Sequence, residues 1–180
     1  AYAEFQFGNI YRINLKEKTT KSIKPKSKLG EPPLRFNWQT PFLISPHNPY
    51  ILYIGANRLF ISYDRGDNWY PISPDLTTNP PLQGDVPFAT ITSISESPLK
   101  PGLIYVGTDD GKVWVTKNGG AIWEEIDEGL PEKWVSRVVA SAFDEGTVYL
   151  TMTGYRDDDF KTYVYKSTDF GKTWISIKSN

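Results

Sequence analysis

Apolar residues fall along this chain in short runs punctuated by glycine, proline and charged side chains. The run Tyr50-Ile51-Leu52-Tyr53-Ile54-Gly55 has a counterpart in Gly102-Leu103-Ile104-Tyr105-Val106-Gly107 and a looser one in Gly146-Thr147-Val148-Tyr149-Leu150. Each is apolar on successive positions, as expected of a strand covered on both faces, whereas flanking runs such as Val113-Trp114-Val115 are shorter and bounded by glycine and polar residues. The pattern predicts strands over 41–45, 51–55, 59–63 and 68–72, then 90–95, 103–107, 112–116 and 122–126, then 136–141, 147–151, 162–167 and 173–177, with an insertion over 153–161. At the start, 1–7, 10–15 and 20–23 supply three strands, a unit without its first strand.

The runs belong to a repeat. Ser62-Tyr63-Asp64-Arg65-Gly66-Asp67-Asn68-Trp69 returns as Thr116-Lys117-Asn118-Gly119-Gly120-Ala121-Ile122-Trp123 and as Ser167-Thr168-Asp169-Phe170-Gly171-Lys172-Thr173-Trp174, at steps of 54 and 51 residues. A period of this size signals a repeat architecture, and four antiparallel strands per unit make a β-propeller blade. The expected fold is therefore all-β, about four blades, the first incomplete: 1–33, 34–84, 85–133 and 134–180. Blades bury their faces against neighbours, so further blades or other chains are expected to complete the ring.

In the repeated Ser/Thr-x-Asp/Asn-x-Gly-x-x-Trp pattern, each residue has a mechanical role in a tight turn between third and fourth strands. Asp64, Asn118 and Asp169 can accept hydrogen bonds from the amides ahead of them, and Gly66, Gly120 and Gly171 tolerate positive φ. Ser62, Thr116 and Ser167 open the turns, and Trp69, Trp123 and Trp174 anchor the outgoing strands by burying an indole. At these residues the chain resembles the Asp-box, or BNR, repeat of sialidases, xyloglucanases and the ten-bladed propeller of sortilin. The stretch from Leu34-Arg35-Phe36-Asn37-Trp38 through Pro74-Asp75-Leu76-Thr77 is similar to the sortilin-like propellers of large bacterial secreted proteins. The resemblance implies a secreted or cell-envelope setting, turns on the rim that hold the fold, and family members with further blades.

Composition narrows the chemistry. With 20 basic against 21 acidic side chains, the chain carries no electrostatic footprint for nucleic acid or an anionic membrane, and neither partner is expected. It has no cysteine, which excludes disulfides, thiolate metal sites and a cysteine nucleophile. No apolar run is long enough to span a bilayer, and the first residues lack the basic start of a signal peptide. No Asn-x-Ser/Thr sequon occurs, which points to a bacterial source. Without a phosphate-binding loop or dinucleotide glycine pattern, no cofactor is expected. The single histidine, His47, sits in a proline-bounded turn and offers neither a zinc site nor a triad.

Propeller ligands usually sit on the axial face, built by loops between second and third strands and by connections between blades. Those segments contain Arg35, Trp38, Arg58, Asp109, Asp110, Trp134, Tyr155, Arg156 and Asp158. One reading makes this face bind a protein, peptide or glycan without catalysis. The alternative is part of a glycoside hydrolase of the xyloglucanase or sialidase type, with Asp109 or Asp110 paired with a carboxylate among 157–159. Against that, Asp109-Asp110-Gly111 also reads as a plain hairpin turn, and the acidic insertion as a solvated loop or a calcium site. The arginines show no sialidase-type pattern. Trp38, Trp134 and Tyr155 fall outside the strand pattern and serve either packing between blades or stacking on a ligand.

Overall fold

A computed structural model describes residues 1–81 and 86–178. The expected boundary at 84/85 and the last two residues lie outside this range. The chain forms antiparallel sheets in which each strand pairs with the next in sequence. The first sheet has three strands, β1 (Tyr2–Phe5), β2 (Asn9–Asn14) and β3 (Thr19–Ser22). The second contains β4 (Phe42–Ile44), β5 (Leu52–Gly55), β6 (Leu59–Ser62) and β7 (Tyr70–Pro71). The third contains β8 (Ile91–Glu96), β9 (Ile104–Thr108), β10 (Val113–Thr116) and β11 (Glu124–Glu125). The fourth contains β12 (Trp134–Ala140), β13 (Val148–Gly154), β14 (Asp159–Ser167) and β15 (Ile175–Ser176).

The sheets stack face to face, and the twofold alternation of each strand decides which interface a side chain enters. Leu52 and Ile54 pack with Ile10 and Ile23 of the first sheet, while Tyr53 between them packs with Ile91 and Ile104 of the third. Leu103, Tyr105, Val113 and Val115 then meet Val135, Val138, Leu150 and Met152 of the fourth. The inner strands β5, β6 and β9 therefore bury both faces, which explains their unbroken apolar runs.

A recurrent backbone bond fixes the register of the incomplete unit. Ile72 donates its N–H to Leu59 O, Ile126 to Val113 O and Ile177 to Val164 O; Ile23 does the same to Ile10 O. The first sheet thus holds the second, third and fourth strands of a blade. Two expectations change. The outgoing strands are two residues long instead of five, because the residues before them belong to the turn. The expected insertion at 153–161 is mostly ladder: β13 and β14 continue as a long hairpin closed by one 3₁₀ turn, Tyr155–Asp157. Asp159 Oδ2, accepting from Tyr163 Oη at 2.6 Å, holds that extension.

The three repeated turns share one geometry. In the first, Gly66 N–H donates to Ser62 Oγ (2.8 Å), whose hydroxyl donates to Asp64 Oδ1 (2.8 Å), which also accepts from Asn68 N–H (2.8 Å). Thr116, Asn118, Gly120 and Ile122 repeat this, as do Ser167, Asp169, Gly171 and Thr173. Each indole then reaches into the preceding blade. Trp69 Nε1–H donates to Ile23 O at 2.6 Å, Trp123 to Ile72 O at 2.7 Å and Trp174 to Ile126 O at 2.7 Å. The motif glycine lies against the same isoleucine: a Cβ on Gly120, at φ +98°, would stand 2.4 Å from Ile72 O, and on Gly66 and Gly171 it would strike Ile23 and Ile126. The turn is a key, and the last isoleucine of the previous blade is its socket.

Two predictions follow from these turns. Trp123→Phe keeps one aromatic ring but leaves Ile72 O without its donor, and should cost at least about 1–3 kcal/mol in urea unfolding; Gly120→Ala should cost at least as much, from backbone strain of about 1–3 kcal/mol with the clash against Ile72 O added. For pH, hydrogen bonds from Asn68 side chain and backbone hold Asp64 down to about 2, and those from Thr173 and Ser167 hold Asp169 down to about 2, against an ordinary 3.8. Both carboxylates therefore stabilise the fold above the ordinary value, and that contribution is lost as pH falls through about 2. Melting temperature should drop between about pH 4 and pH 2, and the Asp64→Asn/Asp169→Asn double variant should show a shallower drop over the same range.

Candidate functional site

Several expected site residues spend their polar atoms on tying loops together. Arg35, from the connection between the first two sheets, donates through Nη2 to Asp75 Oδ2 (3.0 Å) and Thr77 Oγ1 (3.0 Å), and through Nε to Ala89 O (3.2 Å). Burial opposes ionisation of Asp75, but bonds from Thr77 and Asn57 and the Arg35 charge outweigh it and hold its carboxyl low. Asp109 is only 5% exposed and accepts from Thr90 N–H (2.7 Å), Thr90 Oγ1 (2.6 Å) and Asn37 Nδ2 (3.3 Å). Burial pushes its carboxyl up, with the Thr90 bonds acting against that. Asp110 accepts from Thr108 Oγ1 and from Thr78 N–H and Oγ1, each of the last two at 2.7 Å. With Gly111 at φ +89°, Asp109-Asp110-Gly111 is the hairpin turn between β9 and β10.

The remaining candidates separate. Arg58 is half-buried in the β5–β6 turn and contributes its carbonyl to Ala56 N–H. Asp158 is the exposed left-handed residue (φ 54°) that closes the 3₁₀ turn. Asp157 binds Lys133 Nζ at 3.0 Å and raises that amine's pKa. The arginines do not converge: Arg12 is engaged by Asp67, Arg35 by Asp75, and Arg65 lies over Tyr50. His47 Nε2 meets Ser97 O at 2.8 Å, joining turns of the second and third sheets. Among the described residues, no group of three or more histidines or carboxylates is arranged to hold a metal ion, and no helix is long and apolar enough to cross a membrane.

What gathers is aromatic. Trp38, Trp134 and Arg156 line one recess of about 280 Å³ with Asn37, Val86, Pro87 and Phe88. The Arg156 guanidinium lies 4.1 Å from the Trp134 ring centroid, and its Nε donates to Tyr155 Oη at 3.1 Å. Phe7 supports Trp38 edge-on, with centroids 5.1 Å apart. The six tryptophans divide here. Trp69, Trp123 and Trp174 donate to the sockets and Trp114 donates to Leu76 O at 2.8 Å; among the described residues, Trp38 and Trp134 donate to no protein acceptor. Both of these tryptophans line the same recess. A second recess of about 260 Å³ adjoins it and shares Phe88, Trp134 and Arg156.

Sequence reasoning passed over Val86-Pro87-Phe88, an apolar run inside an inter-blade connection, with Val86 and Phe88 both exposed. That misplaced apolarity was the available signal. It also passed over Glu132 and Lys133, which line the second recess.

Sequential four-stranded sheets stacked through sequence-adjacent neighbours, with repeated turns between them, define a β-propeller. The chain belongs to the Sortilin-Vps10 family, described as sortilin, neurotensin receptor 3, whose model matches residues 57–180. No curated protein matches the sequence significantly. Among solved structures, the GH74 enzyme of Niastella koreensis is 18% identical with a TM-score of 0.66, over 98% of this chain and 27% of that one. An ancestral GH74 enzyme is 20% identical with a TM-score of 0.65, over 99% and 22%. YCF48 from Cyanidioschyzon merolae is 14% identical with a TM-score of 0.53, over 80% and 37%. At these identities the likeness is one of fold, and the chain spans about a quarter of the length of the GH74 structures.

The Asp109 hub generates a prediction. Asp109→Asn places an amide against the donors Thr90 Oγ1 and Asn37 Nδ2, and should lower stability by about 1–3 kcal/mol in chemical denaturation.

Proposed function

We propose that this chain is a non-catalytic β-propeller module that binds a protein, peptide or glycan at the recess between Trp38 and Trp134. The observation that carries this reading is the division of the tryptophans. Four indole donors are spent inside the protein, and the two tryptophans whose N–H has no acceptor among the described residues line the same recess beside a stacked guanidinium. Aromatic walls with a few polar groups are the usual makeup of a ligand recess. Asp109 and Asp110, the carboxylates an enzyme reading would use, are each engaged by two or three donors of neighbouring loops. That commitment favours binding over hydrolysis.

In this reading the repeated turns are Asp boxes with a structural role on the rim, and the setting is secreted or cell-envelope. Further blades, in the same chain or another, cover the outer face of the fourth sheet. Support comes from the sockets: Ile23 and Ile126 are 3% and 5% exposed beneath their keys, whereas Ile177 is 46% exposed.

Trp38→Ala and Trp134→Ala should each weaken binding at least about tenfold to whichever ligand a peptide and oligosaccharide array identifies, since aromatic anchors carry a disproportionate share of interface energy. Wild-type affinity in both variants would discard this recess as the site.

A further inference from the structure

We infer that the two adjoining recesses together read a peptide in which a large apolar side chain stands one or two residues from a lysine or arginine. This inference rests on the binding reading above and names its ligand.

The first recess is sized for a side chain. Its volume of about 280 Å³ lies at the bottom of the range for small-molecule pockets. Trp38, Phe88 and Trp134 line it, and the indole N–H groups of the two tryptophans have no acceptor among the described residues. A peptide supplies a carbonyl acceptor at every residue, so an apolar side chain inserted between the rings brings acceptors to those donors.

The second recess differs in charge. Asp109, Asp110, Glu132 and Asp157 line it against Lys133 and Arg156, four carboxylates to two cations. Lys133 is held by Asp157 at 3.0 Å, with Asp159 at 3.6 Å, and Arg156 is stacked on Trp134. Glu132 is exposed and, among the described residues, forms no ion pair. The surplus is negative, so this recess suits a cation and repels an acidic group. Because Phe88, Trp134 and Arg156 belong to both recesses, the cationic and apolar groups must be close neighbours on the ligand. A neutral glycan leaves the acidic side without a counter-charge, and an acidic glycan meets repulsion there.

The test is a titration of the full chain, followed through its indole N–H signals by heteronuclear NMR. The probes are acetyl-Gly-Phe-Lys-Gly-amide, the same peptide with Lys replaced by Glu or Phe by Ala, and cellotetraose. The signals of Trp69, Trp123 and Trp174 report that the fold is intact. The Phe-Lys peptide should move the Trp38 and Trp134 signals saturably. Both altered peptides should bind at least about fivefold more weakly at low salt, and E132Q should weaken the Phe-Lys peptide about two- to fivefold and flatten its salt dependence, as expected of one exposed charge. Equal affinity for the Lys and Glu peptides overturns the inference while leaving the binding site in place. Movement of the two indoles by cellotetraose alone does the same and assigns the site to glycans. If none of the probes moves either indole, the inference fails, and the array result with Trp38→Ala and Trp134→Ala decides the binding reading separately.

Discussion

Between each pair of neighbouring sheets that share a repeated turn, one indole N–H ends on the carbonyl of an isoleucine, and a glycine lies flat against the same residue. The apolar layers between sheets supply most of the burial, but burial is non-directional and does not set the angle or offset of one sheet on another. Directional bonds between sheets do, among them the indole bond, the bonds from Val138 and Ala140 N–H to Ser93 and Ser95 Oγ, and the bond from Tyr53 Oη to Glu96. The indole bond joins residues 46 to 51 positions apart, and since the outgoing strand runs away from the turn, the next inter-blade connection leaves from the opposite end of the sheet. Because the receiving isoleucine closes its own sheet with a backbone bond, an error in one sheet's register would displace the socket of the next.

The connections on the other side are fastened separately, through Arg35, Asn37, Thr90, Asp109 and Asp110. This web places Trp38 and Phe88, which come from different inter-blade connections, beside Trp134 at the start of the fourth sheet. The extended β13–β14 hairpin then carries Arg156 over the Trp134 ring. The recess is thus assembled from four separate stretches of chain, two of them braced by the bonds of Asn37 to Thr90 and Asp109 and of Arg35 to Ala89 O. Such rigid support is what lets a concave surface keep its aromatic groups exposed without collapsing on them.

The repeat, the all-β class and the mechanics of the turns were legible because they depend on local rules: alternation, positive φ and side-chain acceptors two to four residues from their donors. The missing first strand of the opening unit was legible for the same reason. The site was read less completely. Arg35, Asp109 and Asp110 have the chemistry of ligand-binding groups, and only their distant partners, Asp75, Thr78, Thr90 and Asn37, show that their polar atoms also tie neighbouring loops together. Trp38 and Trp134 looked like the other aromatic residues outside the strands, since nothing local says whether an indole finds a carbonyl elsewhere. Within the acidic stretch 157–159, Asp157 and Asp158 do form the turn, and only Asp159 enters the ladder, opposite Gly154 and bonded by Tyr163.

The direction of the lock also bears on how the molecule comes into being. Every key lies on the C-terminal side of its socket, never the reverse. As the polypeptide leaves the ribosome, a sheet and its terminal isoleucine are already available when the tryptophan that will grip them emerges. Each turn therefore meets a socket that has already been synthesised.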